Sequence, residues 1–266
     1  MNFRWSYLFM IIGYSFLYIP MGVLILYSFN DSKLVTVWGG FSLKWYREIW
    51  HDTEFMLGFY TSLKIALISA TLSVVMGCMA GIALARLKFF SKSLYTFFLP
   101  APLVVPEIIT GFSLLILFGI MGKFIGWPSS LGKATIIAAH VTLCMAYVAL
   151  LVRMRLSEVD VNIEEAAMDL GASSAQIFWK ITCPIIMPTI VSGWLLSFTL
   201  SFDDLILASF TTGPGTTTLP MIIYSRMKLG VNPEINVLGT IMIVSVVVFA
   251  ASFFVLQKTA KNISSK

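Results

Sequence analysis

The stretch Glu165 to Pro184 reads EAAMDLGASSAQIFWKITCP and is the one long polar segment in the second half of an otherwise apolar chain. The helix-forming residues from Glu164 to Leu170 predict one short helix. Gly171 follows at the C-terminal cap position, where the backbone often adopts a left-handed conformation that favours glycine. Ser173, with Gln176 three residues later, has capping-box spacing and predicts the start of a second helix. Two short helices joined at a glycine corner form a shape suited to being held by another protein.

The composition is that of a membrane protein. Of the 266 residues 58% are hydrophobic and only 12% are charged, whereas soluble domains carry about 25% charged residues. The net charge of +5 is spread between apolar runs, so it indicates charges flanking membrane spans and no nucleic-acid partner. The cysteines show no metal or disulfide spacing and are expected to be small buried residues: Cys78, Cys144 and Cys183.

Six segments have the roughly 20 apolar residues that a membrane-spanning helix needs. They lie near 8–29, 60–84, 94–120, 134–152, 185–210 and 237–257. The apolar run of the first is too long for a signal peptide and no cleavage site follows it, so it is predicted to be a retained span. The sequence thus predicts an all-α membrane protein with six transmembrane helices, forming one domain over residues 1–266.

The orientation in the membrane follows from the loop at 85–93, which carries three basic residues and no acidic residue. Such a loop is typical of the cytoplasmic side. Because the number of spans is even, both termini are predicted to be cytoplasmic, and so is the loop at 153–184. On the outer side, Phe41, Trp45 and Ile49 have helical spacing and predict a short amphipathic helix in the lipid interface.

No catalytic motif is present: the sequence has neither a P-loop nor a His-Glu-x-x-His motif, and its histidines are His51 and His140. The chain is therefore not expected to bind ATP by a P-loop or to be an enzyme. His140 falls inside the fourth predicted span. It is interpreted as a buried, hydrogen-bonded packing residue, the alternative being a part in a solute pathway.

Three carboxylates fall inside predicted spans. Glu107 is placed near the middle of the third span, and Asp203 and Asp204 in the outer half of the fifth. A charge at the bilayer centre costs about 2.5–3.5 kcal/mol, so each should face a polar cavity or a partner. They are candidates for a pathway that carries a cationic solute, while the alternative is that they pair with a neighbouring helix or cap a broken one. Three prolines are expected to kink the third span: Pro100, Pro102 and Pro106.

The stretch that begins at Glu165 resembles the coupling-loop signature of the permease subunits of ATP-binding-cassette (ABC) importers. That signature is Glu-Ala-Ala, three residues, Gly, nine residues and Ile-x-Leu-Pro, and the sequence here has Cys183 in place of the leucine. Further motifs resemble the polyamine branch, in particular the second permease of putrescine or spermidine/putrescine importers. They are Tyr-Ser-Phe-Asn at 27–30, Phe-Ser-Leu-Lys-Trp-Tyr at 41–46, Glu-Glu-Ala-Ala-Met-Asp-Leu-Gly-Ala at 164–172, Ser-Phe-Asp-Asp at 201–204, Gly-Pro-Gly-Thr-Thr-Thr-Leu-Pro-Met at 213–221 and Gly-Val-Asn-Pro-Glu-Ile-Asn at 230–236.

The resemblance implies a type I ABC importer permease fold in a bacterial inner membrane. It also implies a heterodimer with a related permease, two ATPase subunits that bind ATP and Mg²⁺, and a periplasmic polyamine-binding protein. This chain would then need no cofactor of its own, and putrescine is the favoured solute. Membrane lipid is the remaining partner.

Residue roles are carried over only where the motifs match. The ATPase-coupling residues would be Glu165, Ala166, Ala167, Asp169, Gly171, Ile181 and Pro184. The substrate-pathway residues would be Glu107, Asp203, Asp204 and Tyr224, the last through cation–π contact. Three other acidic residues are expected to be solvated on the cytoplasmic face: Glu158, Asp160 and Glu164.

Two other classes of membrane protein are alternatives to a polyamine ABC permease, as is a permease for another small cationic solute. A proton-coupled secondary transporter would also place carboxylates in its spans, but it has no need of the corner at Gly171. An intramembrane aspartyl protease requires aspartates on separate helices, whereas Asp203 and Asp204 are adjacent. The coupling-loop pattern therefore favours the permease.

Overall fold

The computed structural model describes residues 3–34, 37–230 and 233–264, and within these the side chains of 7–252. Val231 and Asn232 of the motif at 230–236 lie outside the described residues. The helices are α1 (Phe3–Tyr27), α2 (Lys44–His51), α3 (Thr53–Arg86), α4 (Lys92–Phe98), α5 (Ala101–Val104), α6 (Glu107–Phe124), α7 (Lys133–Ser157), α8 (Asn162–Asp169), α9 (Ser174–Ile177), α10 (Cys183–Phe202), α11 (Ile206–Thr211), α12 (Leu219–Leu229) and α13 (Pro233–Ser264). A π-helical turn, Phe178–Thr182, joins α9 to α10.

Six helices are long and apolar enough to cross a membrane, as the sequence predicts. They comprise Tyr7–Tyr27, Thr53–Arg86, Glu107–Phe124, Lys133–Ser157, Ser174–Phe202 and Pro233–Ser252. The all-α prediction is confirmed, and two of the predicted spans have different limits for identifiable reasons.

The third predicted span, 94–120, is not one helix. It is broken into α4, α5 and α6, and the breaks fall at Pro100 and Pro106. Val105 is extended because the residue before a proline is driven out of the helical region. The prolines therefore divide the segment rather than kink it, and Glu107 lies in the first turn of α6 instead of at the middle of a span.

The fifth predicted span, 185–210, is displaced towards the N-terminus. Its helix runs from Ser174 to Phe202, so the second helix of the corner and the span are continuous. The π turn comes directly before Pro184 in α10, and such a turn accommodates a residue that has no N–H and a bulky ring. The helix ends before Asp203, and α11 begins only at Ile206.

The chain divides into two compact units, which are described separately. The central unit is residues 58–219, and the terminal unit is residues 1–57 with 220–266. The single domain over residues 1–266 stays a prediction.

The central unit is built around α7, the most deeply buried of the six candidate spans. Helix α3 contacts it through glycines four residues apart. A Cβ atom at Gly77 would lie 2.6 Å from Val148 Cβ, and one at Gly81 would lie 2.7 Å from the carbonyl oxygen of Ala149. Glycine is required at both positions because the two backbones almost touch, as in other small-residue contacts between membrane helices.

Helix α10 covers the same part of α7, where Gly193 lies close to Val148. The resulting apolar cluster contains residues of α3, α7 and α10. Its buried members are Val148, Val152, Leu156 and Ile186, and Val74, Cys78, Ile82, Ala85 and Ile190 pack against them. These three helices form the rigid part of the central unit.

In the terminal unit α1 packs on α13, where Gly239 lies close to Leu24. The predicted amphipathic helix is present as α2. Its apolar residues Trp45 and Ile49 are buried, and the indole nitrogen of Trp45 donates to the carbonyl oxygen of Asn30 at 2.8 Å. The helix was expected to lie in the lipid interface, but protein covers these two side chains.

An ion cluster joins α12 to the starts of α3 and α13 in the terminal unit. The guanidinium of Arg226 pairs with Asp52, with Glu54 at 3.0 Å and with Glu234 at 3.5 Å. Burial is the largest single influence on the pKa of Asp52 and would raise it, but the hydrogen bond and charge of Arg226, together with backbone N–H groups at Glu54 and Phe55, outweigh burial and lower the pKa of this carboxyl. Arg226 therefore favours the ionised form of the Asp52 carboxyl.

The contact between α3 and α7 predicts that Gly81→Ala is destabilising. The added Cβ collides with backbone, so the free energy of unfolding should fall by about 1–3 kcal/mol. The matched control is Gly119→Ala on α6, where an added Cβ meets nothing within 4 Å. Thermal unfolding of the purified protein in detergent compares the two variants, and equal stability of both would contradict the contact.

Candidate functional site

The first site is the two-helix corner, residues 162–182, whose turn is closed by backbone hydrogen bonds. The N–H of Gly171 bonds the carbonyl of Met168 at 2.9 Å, and the N–H of Ala172 bonds that of Ala167 at 3.0 Å. Gly171 has a φ of +82°. This pair of backbone hydrogen bonds is the Schellman motif, which needs a residue in the left-handed backbone conformation at its centre. The predicted corner at Gly171 is confirmed.

The second helix of the corner begins as predicted. The hydroxyl of Ser173 accepts from the N–H of Gln176 at 3.4 Å, and the amide oxygen of Gln176 accepts from the N–H of Ser173 at 2.8 Å. This reciprocal pair is a capping box. Both ends of the connection are thus fixed by local hydrogen bonds, which makes the corner a defined shape rather than a flexible loop.

The predicted coupling residues lie on the outside of the corner. Glu165, Ala166, Asp169 and Pro184 are exposed, and Ala167 and Ile181 are half-buried. Exposed apolar side chains surround them, which sequence reasoning missed; they are Val161, Ile163, Met168, Leu170 and Trp179. Leu170 is 89% exposed. Exposed apolar patches beside polar groups are typical of surfaces that bind other proteins. The sequence signal for this patch is the set of large apolar residues within a polar segment.

Glu164 was expected to be solvated, and this expectation is wrong. Its side chain is only 13% exposed. One carboxylate oxygen lies 3.2 Å from Nε of Arg86, and the other accepts from the hydroxyl of Thr182 at 3.0 Å. Burial is tolerated because the carboxylate has a counter-charge and two donors. Glu158 and Asp160 are exposed, as predicted.

The second site surrounds His140 of α7, which is 2% exposed. One ring nitrogen lies 2.6 Å from the hydroxyl of Ser201, and the other lies 3.1 Å from a carboxylate oxygen of Asp204. The prediction of a buried, hydrogen-bonded histidine is confirmed. The His140 side chain thus connects α7 with the end of α10 and with the segment between α10 and α11.

Asp204 caps the helix that follows it. Its carboxylate accepts from the backbone N–H groups of Leu207 at 3.3 Å and Ala208 at 2.7 Å. A carboxylate at this position satisfies N–H groups that have no partner within the first turn and is favoured by the helix dipole. The alternative interpretation, capping of a broken helix, therefore holds for Asp204.

Asp203 and Glu107 are arranged differently. Both side chains are exposed, and Asp203 interacts electrostatically with Glu107 as well as with its neighbour Asp204. Glu107 stands in the first turn of α6. The structure thus brings together the three carboxylates that the sequence assigns to a solute pathway. Asp204 is bound within the protein, whereas Asp203 and Glu107 are exposed.

Tyr224, the fourth predicted pathway residue, belongs to the terminal unit and lies on α12. Its ring already has a cation, since the ammonium of Lys228 lies 4.6 Å from the ring centroid. Within residues 3–34, 37–230 and 233–264, no group of three His, Cys, Asp or Glu residues could hold a metal ion.

The fold, the corner and the buried polar cluster define a membrane-embedded transport subunit, and comparison with known proteins identifies its family. Residues 73–260 match the family described as binding-protein-dependent transport system inner membrane component. The chain belongs to this family. It is therefore a multi-pass inner-membrane permease and a transport subunit rather than an enzyme.

Two relatives from Escherichia coli (strain K12) show how close the likeness is. The chain is 48% identical to the putrescine transport system permease protein PotI, over 97% of this chain and 93% of the relative. It is 40% identical to the spermidine/putrescine transport system permease protein PotC, over 96% of this chain and 95% of the relative.

Solved structures agree in fold. A bacterial ABC transporter that imports the acidic polysaccharide alginate aligns with a TM-score of 0.67 at 18% identity, covering 97% of this chain and 98% of that one. A chain of the methionine ABC transporter MetNI aligns with a TM-score of 0.62 at 18% identity, covering 76% of this chain and 94% of that one. The ABC importer permease fold is thereby confirmed.

The capping role of Asp204 predicts that Asp204→Ala and Asp203→Ala differ in stability. Removing the Asp204 carboxylate leaves two N–H groups and the buried His140 without their acceptor, so the free energy of unfolding should fall by about 1–3 kcal/mol. Asp203→Ala removes an exposed neighbour of the same charge and should change stability by about 0.5 kcal/mol or less. Thermal unfolding in detergent measures both, and the reverse order would refute the assignment.

Proposed function

We propose that the chain is a permease subunit of an ATP-driven polyamine importer, with putrescine as the favoured solute. The observation that carries this proposal is the 48% identity to a putrescine permease across 97% of the chain. Spermidine is the second candidate solute because the spermidine/putrescine permease is 40% identical over nearly the same length.

The proposed assembly contains a related permease, two ATPase subunits that bind ATP and Mg²⁺, and a periplasmic polyamine-binding protein. The corner supports the ATPase partner, because it presents Glu165 and Asp169 beside exposed apolar side chains. Two candidate spans support a second permease and lipid as neighbours, since little of their apolar surface is buried within this chain; they are Tyr7–Tyr27 and Glu107–Phe124.

Both termini and the corner are proposed to be cytoplasmic. The basic loop 85–93 favours that side, and Arg86 at its start contacts Glu164 of the corner. The basic loop and the corner therefore share one end of the central unit. ATP-driven closure of the partner ATPases would push on the corner, and Ala166 and Ala167 would allow the close approach that this requires.

The proposed solute pathway uses the exposed carboxylates Asp203 and Glu107. A polyamine carries ammonium groups along a linear chain, so two separate carboxylates can hold one molecule at two points. Asp204 contributes indirectly: its contacts with His140 and with the first turn of α11 stabilise the non-helical segment between α10 and α11. Tyr224 would add a cation–π contact once Lys228 moves from its ring.

Solute identity is tested by uptake of labelled putrescine into proteoliposomes that contain the complete complex. Uptake should require ATP hydrolysis, and unlabelled putrescine should compete better than spermidine. Stronger competition by spermidine would make the second candidate the solute. Uptake that persists without ATP hydrolysis would instead favour a proton-coupled transporter, and competition by neither polyamine would reject the proposal.

Neutralising the pathway carboxylates should weaken polyamine transport. Glu107→Gln and Asp203→Asn each remove a charge-assisted contact worth about 1.5–3 kcal/mol, which corresponds to about a tenfold or greater rise in KM for uptake. Glu48→Gln on α2 removes an exposed charge elsewhere and is the control. Uptake kinetics that match the control in both variants would rule out these residues as part of the pathway.

A further inference from the structure

The carboxylate of Glu164 joins three elements of the central unit. It contacts Arg86, the last residue of α3, and Thr182, the last residue of the π turn that leads into α10, while Glu164 itself lies in the first turn of α8. We call Arg86, Glu164 and Thr182 the polar joint. Arg86 and Glu164 are 78 residues apart in sequence, so this connection is tertiary and not part of a local turn.

The joint is the principal attachment of α8 because apolar packing there is weak. Helix α8 contains no buried residue. A cavity of about 420 Å³ lies beside it, lined by Arg86, Glu164 and Thr182 and by Met168 and Phe178. The cavity occupies the place where apolar side chains would otherwise pack against α8. The ion pair between Arg86 and Glu164 therefore attaches α8 to α3.

The elements on the other side of the joint are rigid. The last turns of α3 and the first turns of α10 enter the apolar cluster around α7, through Ile82 and Ala85 on α3 and Ile186 on α10. Helix α3 cannot slide on α7 without separating at Gly81, whose backbone contact leaves no room. A force on α8 that reaches Arg86 and Thr182 therefore moves two spans together.

We propose that the polar joint transmits displacement of the corner to α3 and α10, so that Glu164 is a positioning residue for energy coupling. This inference rests on the proposed function, in which an ATPase acts on the corner. Glu165 contacts the partner in that proposal, whereas Glu164, one residue away, faces inward and holds the corner to the spans. Adjacent carboxylates thus have separate roles.

The charge balance of the joint explains why one substitution should be effective. Glu164 is the only acidic partner of the Arg86 guanidinium in the part of the chain that the structure describes, and Nη2 of Arg86 is buried there without a hydrogen bond. In Glu164→Gln the side chain keeps its size but loses the charge. In Thr182→Val the side chain keeps its shape but loses the hydroxyl and leaves the charge pair intact.

The test uses the complete complex in proteoliposomes and measures putrescine transported per ATP hydrolysed, together with assembly and ATP hydrolysis alone. Glu164→Gln should lower the transport ratio about tenfold, within the range of coupling between sites, while ATP hydrolysis and assembly stay near those of the unmodified protein. Thr182→Val should lower the ratio less. Exchanging the pair, Arg86→Glu with Glu164→Arg, should restore part of it.

The matched control is Glu158→Gln, which breaks the exposed pair with Arg155 near the same end of the central unit. A transport ratio in Glu164→Gln equal to that of this control would overturn the proposal. If Glu164→Gln does not assemble, Thr182→Val becomes the test. An unchanged transport ratio in Thr182→Val would then overturn the proposal as well. A lower yield of assembled complex, with an unchanged transport ratio in the complexes that do form, would mean a purely structural role and would also overturn it.

Two further variants separate this proposal from the proposed function. Glu165→Lys and Gly171→Leu alter the partner surface and the turn, and both should abolish ATP-driven uptake while the protein still inserts. If they transport normally, the corner has no coupling role and the proposed function fails. If they abolish uptake while Glu164→Gln couples normally, only the joint is refuted.

Discussion

The backbone contact between α3 and α7 at Gly77 and Gly81 is the constraint on which the central unit depends. Lipid gives membrane helices no hydrophobic reason to associate, so their contact relies on close packing. Here the absence of two side chains lets α3 reach the carbonyl of Ala149. That approach fixes where α3 ends, and therefore where Arg86 meets Glu164. The position of the Arg86–Glu164 ion pair, outside the apolar cluster, thus depends on the two glycines inside the α3–α7 contact.

The two sites solve the problem of buried charge in different ways. Glu164 is neutralised by a guanidinium, whereas Asp204 is held by two backbone N–H groups and a histidine. Both solutions leave an adjacent carboxylate, Glu165 or Asp203, exposed. Each pair of neighbouring acids thereby combines one group that builds the structure with one that can meet a partner or a cation.

The features predicted from sequence were those set by short-range interactions. Gly171 and Ser173 act through hydrogen bonds to residues within five positions, so their roles are visible in the sequence. The number of spans follows from hydropathy. The sequence placed both Pro106 and Asp203 inside continuous spans, with a broken helix at the carboxylates only as an alternative, because hydropathy does not register backbone geometry. The burial of Glu164 could not be predicted because its counter-charge lies 78 residues away.

The continuity of the corner with the fifth span has a mechanical consequence. Ser174 to Phe202 is 29 residues of helix, about 43 Å long at 1.5 Å per residue. One end lies beside Gly171 and the other beside Asp203, so one continuous helix connects the corner with the carboxylates. Tilting it by about 5° displaces one end relative to the other by about 4 Å. In the proposed coupling, a small tilt of this helix at the corner would change the distance between Asp203 and Glu107 at its far end.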